Sequence, residues 1–86
     1  MAKIKIFVQA RCARCPQAKK IGAELAQQGY TVVEYDVGTA DGLAEAQLFS
    51  VQATPAIIVE ADDESVLGEF RAEIPTAAQV AALLGG

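Results

Sequence analysis

Both cysteines of this chain, Cys12 and Cys15, lie where a predicted strand meets a predicted helix. Residues 3–9 alternate lysine with isoleucine and then read Phe-Val-Gln, which is typical of a strand. Pro16 has no amide hydrogen to donate, so it fits the first turn of a helix, where such donors have no intrahelical partner. The chain must therefore pass from strand to helix at the cysteines, and this junction constrains the rest of the fold.

The segment after the cysteines predicts a helix and a second strand. The helix runs to about Gln28 and ends at Gly29, because glycine readily takes the left-handed conformation that follows many helices. Residues 30–37 are rich in β-branched and aromatic side chains and predict the strand. A strand, a helix and a strand of these lengths favour parallel pairing through a right-handed crossover. The inward side of the helix consists of Ala18, Ile21, Gly22 and Leu25.

Another helix and a hairpin follow. Asp41 is a good N-cap residue and predicts a helix over residues 42–49. The apolar positions of this helix are Leu43, Ala46 and Leu48 or Phe49. Ala56–Glu60 and residues 65–71 flank an acidic turn, which indicates two antiparallel strands.

The chain ends in a third predicted helix. Thr76 and Gln79 have the spacing of a capping box, and Gly85 and Gly86 close the helix. Its apolar face consists of Ala77, Val80, Ala81 and Leu84. The order β-α-β-α-β-β-α predicts an α/β fold, a mixed four-stranded sheet flanked by helices, in a single domain over residues 1–86.

Composition narrows the class of protein. With 86 residues and 52% hydrophobic content, the chain reads as one globular domain. It has neither an apolar run of the ~20 residues that span a bilayer nor the continuous apolar core of a signal peptide. We therefore expect a cytoplasmic protein that does not bind membranes, in which two cysteines are more often catalytic or metal-binding than structural.

Charge is distributed unevenly. The first 20 residues carry six cations and no acid, whereas the remainder carries Arg71 and eleven acids. We expect Lys3 and Lys5 to be ordinary solvated lysines. The other cations near the cysteines should favour a thiolate and an acidic protein partner; they are Arg11, Arg14, Lys19 and Lys20. An acidic chain without an aromatic and basic patch gives no reason to expect nucleic-acid binding.

Two chemistries stay open at the cysteine pair. A reversible dithiol switch is one reading of Cys-x-x-Cys beside a β-α-β pattern, and half of a metal site is the other. The alternative to both chemistries is a pair of structural cysteines. The chain has no histidine, which excludes Cys-His catalysis. Two thiolates alone do not complete a tetrahedral zinc site, although a site shared within a dimer would.

The element order, with Cys12-Ala13-Arg14-Cys15 after the first strand and Thr54-Pro55 before the third, resembles the thioredoxin superfamily. The resemblance covers essentially the whole chain and is closest to the small thioredoxins and glutaredoxin-like proteins. It includes the segment Ala53–Val59 and the sequence Ile74-Pro75-Thr76.

This resemblance implies a thiol-disulfide oxidoreductase that reduces protein disulfides. Cys12 would be the nucleophile and Cys15 the resolving thiol, acting through a mixed disulfide. A cis peptide bond before Pro55 would turn the Thr54 backbone outward, so that an extended target segment pairs with it. We expect Arg14 and Arg11, which lie on either side of Cys12, to favour the Cys12 thiolate. No cofactor and no metal ligand is predicted.

Departures from the family pattern bear on the partners. Arg11 stands where larger thioredoxins have tryptophan, and Arg71-Ala72-Glu73 replaces the double glycine and acid that help glutaredoxins hold glutathione. We therefore expect recycling by a flavoprotein resembling thioredoxin reductase rather than by glutathione. The expected oligomeric state is a monomer.

A copper chaperone domain is the alternative from another class. It also places Cys-x-x-Cys between a first strand and a first helix, and thiolates suit Cu(I). Its element order would be β-α-β-β-α-β, usually with a methionine before the first cysteine, whereas the only methionine here is Met1.

Overall fold

The computed structural model describes residues 2–85 and has the predicted element order. The elements are β1 (Lys3–Val8), α1 (Cys15–Gln27), β2 (Thr31–Asp36), α2 (Ala40–Leu48), β3 (Ala56–Glu60), β4 (Val66–Arg71) and α3 (Ala77–Leu83). This confirms the α/β prediction, and the order differs from that of the copper chaperone alternative. No helix in this part of the chain has the length and apolar character needed to cross a membrane.

The four strands form one mixed sheet in the order β2-β1-β3-β4. Strand β1 pairs in parallel with β2 through the α1 crossover, and antiparallel with β3. Strands β3 and β4 form the predicted antiparallel hairpin. Since Phe7 near the end of β1 faces Ala56 at the start of β3, the loops that carry Cys12 and Pro55 leave the sheet at the same edge.

Each face of the sheet packs against helices. Ile4, Ile6 and Val8 point to the side covered by α1 and α3, where Leu25 and Val80 are fully buried. The opposite face packs on α2 around Phe7, Ala46, Ala56 and Ile58. All five residues of β3 are buried because it lies inside the sheet and is covered on both faces.

Lys5 corrects one prediction, because it is not solvated. Its side chain is 12% exposed, and its Nζ lies 2.7 Å from Glu45 and 3.0 Å from Glu60. The same Nζ lies 4.7 Å from the centroid of the Phe49 ring. The alternation of β1 places Lys5 beside Phe7 on the face that α2 covers, so the sequence pattern was correct and the assignment of that face to solvent was wrong. Lys3 is exposed as expected.

Helix α2 begins two residues before the predicted start at Gly42, whereas its end is within one residue of the prediction. Thr39, not Asp41, is the N-cap, since its Oγ1 accepts a hydrogen bond from the Gly42 amide at 3.0 Å. The same hydroxyl donates to the Asp36 carbonyl at 2.7 Å and ties the helix to the end of β2.

The expected apolar face of α2 is only partly buried. Ala46 is buried and Phe49 is partly buried, but Leu43 is 49% exposed and Leu48 is 76% exposed. The cause is that α2 packs against the sheet through its small residues Gly42 and Ala46, so its two leucines lie outside this contact and stay exposed.

The remaining boundaries lie within a residue or two of the prediction. Gly29 has φ 96° and follows α1 in the left-handed conformation expected of it. Thr76 and Gln79 form the predicted capping box at α3. Gly86, predicted to help close that helix, lies outside the described residues.

Candidate active site

Cys12 and Cys15 form a disulfide at the start of α1, with their Cα atoms 5.3 Å apart. Cys15 is the first helical residue and is 2% exposed within the core that α1 shares with the sheet. Cys12 precedes the helix and stays partly exposed. An incoming sulfur therefore reaches Cys12 first, which is the arrangement that the expected order of attack requires.

Local backbone geometry explains the sharp turn into α1. Arg11 has φ 62°, in the left-handed region that non-glycine residues seldom adopt, and it redirects the chain after β1. Arg14 is the N-cap, and its carbonyl accepts from the amides of Gln17 at 3.1 Å and Ala18 at 3.4 Å. Pro16 lies in the first turn, as its missing amide hydrogen predicted.

The Thr54–Pro55 peptide bond is cis, as the resemblance implied. Pro55 is buried, and its carbonyl accepts from the Ala72 amide at 2.9 Å, which joins this loop to the end of β4. The Thr54 Oγ1 is buried and has no hydrogen-bond partner within the described part of the chain.

Cys12 and Thr54 meet in one cavity beside the disulfide. It has a volume of about 300 Å³ and is lined by Gln9, Arg11, Cys12, Ala13, Arg14 and Thr54. Arg11 and Arg14 therefore both line the site, and the lining contains no carboxylate. The charge around Cys12 is positive, which favours a thiolate over a thiol.

The two arginines have different surroundings. Arg14 donates from Nη1 to the Ala72 carbonyl at 3.2 Å, across 58 positions of sequence. The Arg11 guanidinium makes no hydrogen bond or ion pair with any residue from 2 to 85. The sequence placed both cations near Cys12, but only the fold shows that one of them is anchored.

Gln9 lines the site although the sequence pattern did not indicate it. This side chain lines the cavity at Cys12 and also an adjoining one of about 170 Å³. The second cavity shares Thr54 with the first and is otherwise mostly apolar, with Val37, Leu43, Ala46 and Val51 among its lining residues. The only available signal was the position of Gln9, one residue past the end of β1.

No proton acceptor for Cys15 was predicted, and the buried carboxylate of the fold is not placed to serve as one. Glu60 is 5% exposed but pairs with Lys5. It is opposite Lys3 at the far end of β3, four residues and roughly 13 Å along the strand from Ala56.

Residues 2–85 contain no group of three or more histidine, cysteine, aspartate or glutamate side chains that could hold a metal ion. The cysteine pair is instead closed as a disulfide, so the chemistry it can perform directly is thiol-disulfide exchange.

Comparison with known proteins agrees with this geometry. A family model described as thioredoxin domain matches residues 2–85. A protein from Archaeoglobus fulgidus described as a probable thioredoxin is 32% identical over 69 residues, which cover 79% of this chain and 75% of that protein. A thioredoxin from Methanocaldococcus jannaschii is 28% identical over 65 residues, or 74% of this chain and 76% of that one.

A solved structure extends the comparison to the fold. The structure of thioredoxin-2, a component of the malaria parasite's protein secretion machinery, superposes with a TM-score of 0.83 at 19% identity. The match covers 99% of this chain and 82% of that one.

Proposed function

We propose that this chain works as a cytoplasmic reductant that is recycled by a flavoprotein. It belongs to the thioredoxin family and is a thiol-disulfide oxidoreductase that acts on disulfide-bearing proteins. The observation that carries the proposal is the disulfide between a partly exposed Cys12 and a buried Cys15 at the start of α1. The pair can thus open toward a target while its second sulfur stays protected.

In the proposed reaction, the Cys12 thiolate of the reduced protein attacks one sulfur of a target disulfide. The target's sulfur–sulfur bond breaks, a mixed disulfide forms, and the departing target thiolate takes up a proton. Cys15 then loses its proton and attacks Cys12, which releases the second target thiol. The target gains two electrons and two protons, one proton from Cys15 and one from solvent, and the Cys12–Cys15 disulfide is restored.

Thr54 and Pro55 are proposed to hold the target. The cis bond lies directly before β3, and Thr54 shares the cavity with Cys12. An extended target segment can pair with the Thr54 backbone while its sulfur lies over Cys12, which is strand addition at a site built from backbone groups.

Recycling by a flavin-dependent reductase is favoured over glutathione. The segment expected to differ from glutaredoxins contains Ala72, whose amide donates to Pro55 and whose carbonyl accepts from Arg14. Both polar backbone groups of this residue are therefore engaged internally, which leaves less for a peptide such as glutathione to bind. We also propose that the protein is a monomer, which light scattering in solution tests.

The reduction of insulin tests the activity. The reduced protein should reduce insulin disulfides catalytically with NADPH and a thioredoxin reductase, and more slowly with glutathione. Cys12→Ser should abolish turnover. Cys15→Ser should stop after the first step and accumulate a mixed disulfide on Cys12 that dithiothreitol releases.

Two results would count against the proposal. Faster recycling by glutathione than by every reductase of the source organism would reverse the choice of partner. Failure of Cys15→Ser to form any mixed disulfide with target proteins would contradict the assigned order of attack.

A further inference from the structure

We propose that Arg11 recognises a carboxylate next to the disulfide of the target, so that this protein prefers target disulfides with acidic neighbours. The inference rests on the proposed function and concerns which disulfides that site accepts. It names one side chain as the origin of the preference rather than the whole group of cations near the cysteines.

Arg11 is the uncommitted cation among the residues that line the Cys12 cavity. Arg14 and Arg11 both line the cavity with Cys12, but the Arg14 guanidinium donates to Ala72. Arg11 has no internal hydrogen bond or ion pair with the described residues. A guanidinium offers five donors that match a carboxylate in a two-point geometry, so a partner from outside the chain can use them.

The described residues that line the cavities near Cys12 include no acid that would compete for Arg11. None of the residues that line either cavity at the edge of the sheet is aspartate or glutamate. Glu73 follows Ala72 in sequence but does not line the Cys12 cavity. An acidic target segment would therefore meet a positive cavity that has no carboxylate in its lining to repel it.

A carboxylate close to the target cysteine would lie within reach of the Arg11 side chain. A target strand advances about 3.3 Å per residue. When its half-cystine lies over Cys12, side chains within two residues of it fall inside the reach of the long Arg11 side chain, whose backbone precedes Cys12 directly. The carboxylate is accordingly expected one or two residues from the target cysteine.

The test uses three cyclic disulfide peptides that differ only in having Glu, Gln or Lys beside one cysteine. Each is reduced in a single turnover by the pre-reduced protein, so that no recycling enzyme is involved. We expect the Glu peptide to react about three- to tenfold faster than the Lys peptide, a ratio in the range of exposed and partly exposed charge pairs. The ratio should shrink in about 1 M salt, where the screening length falls to roughly 3 Å.

The selectivity ratio also separates recognition from thiolate tuning. A change in the reactivity of Cys12 alters all three rates together and cancels in the ratio. Arg11→Gln should bring the ratio close to one, whereas Arg11→Lys should preserve part of it. Lys3→Gln is the matched control, because it removes an exposed cation at the opposite end of β1 and should leave the ratio unchanged.

Each contrary outcome has its own meaning. Equal rates for the three peptides with the wild-type protein would overturn this inference and leave the oxidoreductase function intact. A ratio that survives in Arg11→Gln, or falls equally in Lys3→Gln, would also overturn it. Failure to reduce any of the peptides would contradict the proposed function itself, and this inference with it.

Discussion

Replacing Lys5 by methionine should destabilise the protein more than any single surface substitution, because it leaves a buried carboxylate without its counter-ion. Lys5 is 12% exposed and Glu60 is 7% exposed at the side chain, and their charged atoms are 3.0 Å apart. Removing one partner of such a pair costs about 3–5 kcal/mol. The Phe49 ring, 4.7 Å from the Lys5 nitrogen, adds about 0.5–1 kcal/mol.

This cost is large for a chain of this size. A stability of roughly 0.05–0.15 kcal/mol per residue gives the whole protein about 4–13 kcal/mol. We expect Lys5→Met to shift the midpoint of urea unfolding strongly toward lower denaturant, with an unchanged slope. Lys3→Met should change the free energy of unfolding by no more than about 0.5 kcal/mol, since Lys3 is exposed on the same strand.

A second variant isolates the cause. Lys5→Met leaves both Glu45 and Glu60 without their cation, and Glu60→Gln in that background removes the more buried of the two charges while keeping the shape of the side chain. It should therefore recover a large part of the loss, although Glu60→Gln alone destabilises. This non-additivity is the signature of a direct interaction.

The pH dependence has a definite sign. Burial opposes the charge on Lys5, but hydrogen bonds to Glu45 and Glu60 outweigh it and raise the pKa of Lys5 above its ordinary value of 10.5. A pKa raised in the folded state contributes stability that is fully present below 10.5 and is lost as pH rises through the higher folded value. Lys5→Met should lack this alkaline component. A loss below about 1 kcal/mol at pH 7, or an identical alkaline profile, would refute the reasoning.

Three further outcomes are expected. A Cβ at Gly42 would collide with the backbone of Asp36, so Gly42→Ala should cost about 3 kcal/mol or more in urea unfolding, whereas Gly38→Ala, which meets only a side-chain oxygen at 3.1 Å, should cost little. Thr76→Ala removes the capping box of α3 and should lower the free energy of unfolding by about 1 kcal/mol, and a loss near zero would mean that α3 frays in solution. Arg14→Ala should raise the pKa of Cys12 in a titration of thiolate absorbance, and an unchanged titration would remove Arg14 from thiolate stabilisation.

The sequence was sufficient where local chemistry decides the structure. Pro16 required a helix start near the cysteines, Gly29 ended that helix, and β3 follows from an uninterrupted apolar run after Pro55. The capping box at Thr76 is also local, so its residues could be named in advance.

The sequence was insufficient where a distant element decides the environment. Nothing near Lys5 shows that α2 covers it with a glutamate 40 positions away. The bond from Arg14 to Ala72 spans 58 positions and depends on the loop after β4. At α2, Thr39 and Asp41 are both good capping residues, and only the contact with the end of β2 favours Thr39.

Cys12 and Cys15 are only three positions apart, so their disulfide closes a short loop and the stability of the fold depends little on it. In the chain-entropy account, a loop of this size restrains the unfolded state by about 2 kcal/mol, against about 4.7 kcal/mol for a loop of 100 residues. Reduction of the disulfide therefore leaves the sheet and its helices folded, with a smaller loss of stability than opening a long loop would cause. A protein that must be reduced and reoxidised many times can in this way keep the same fold through every cycle.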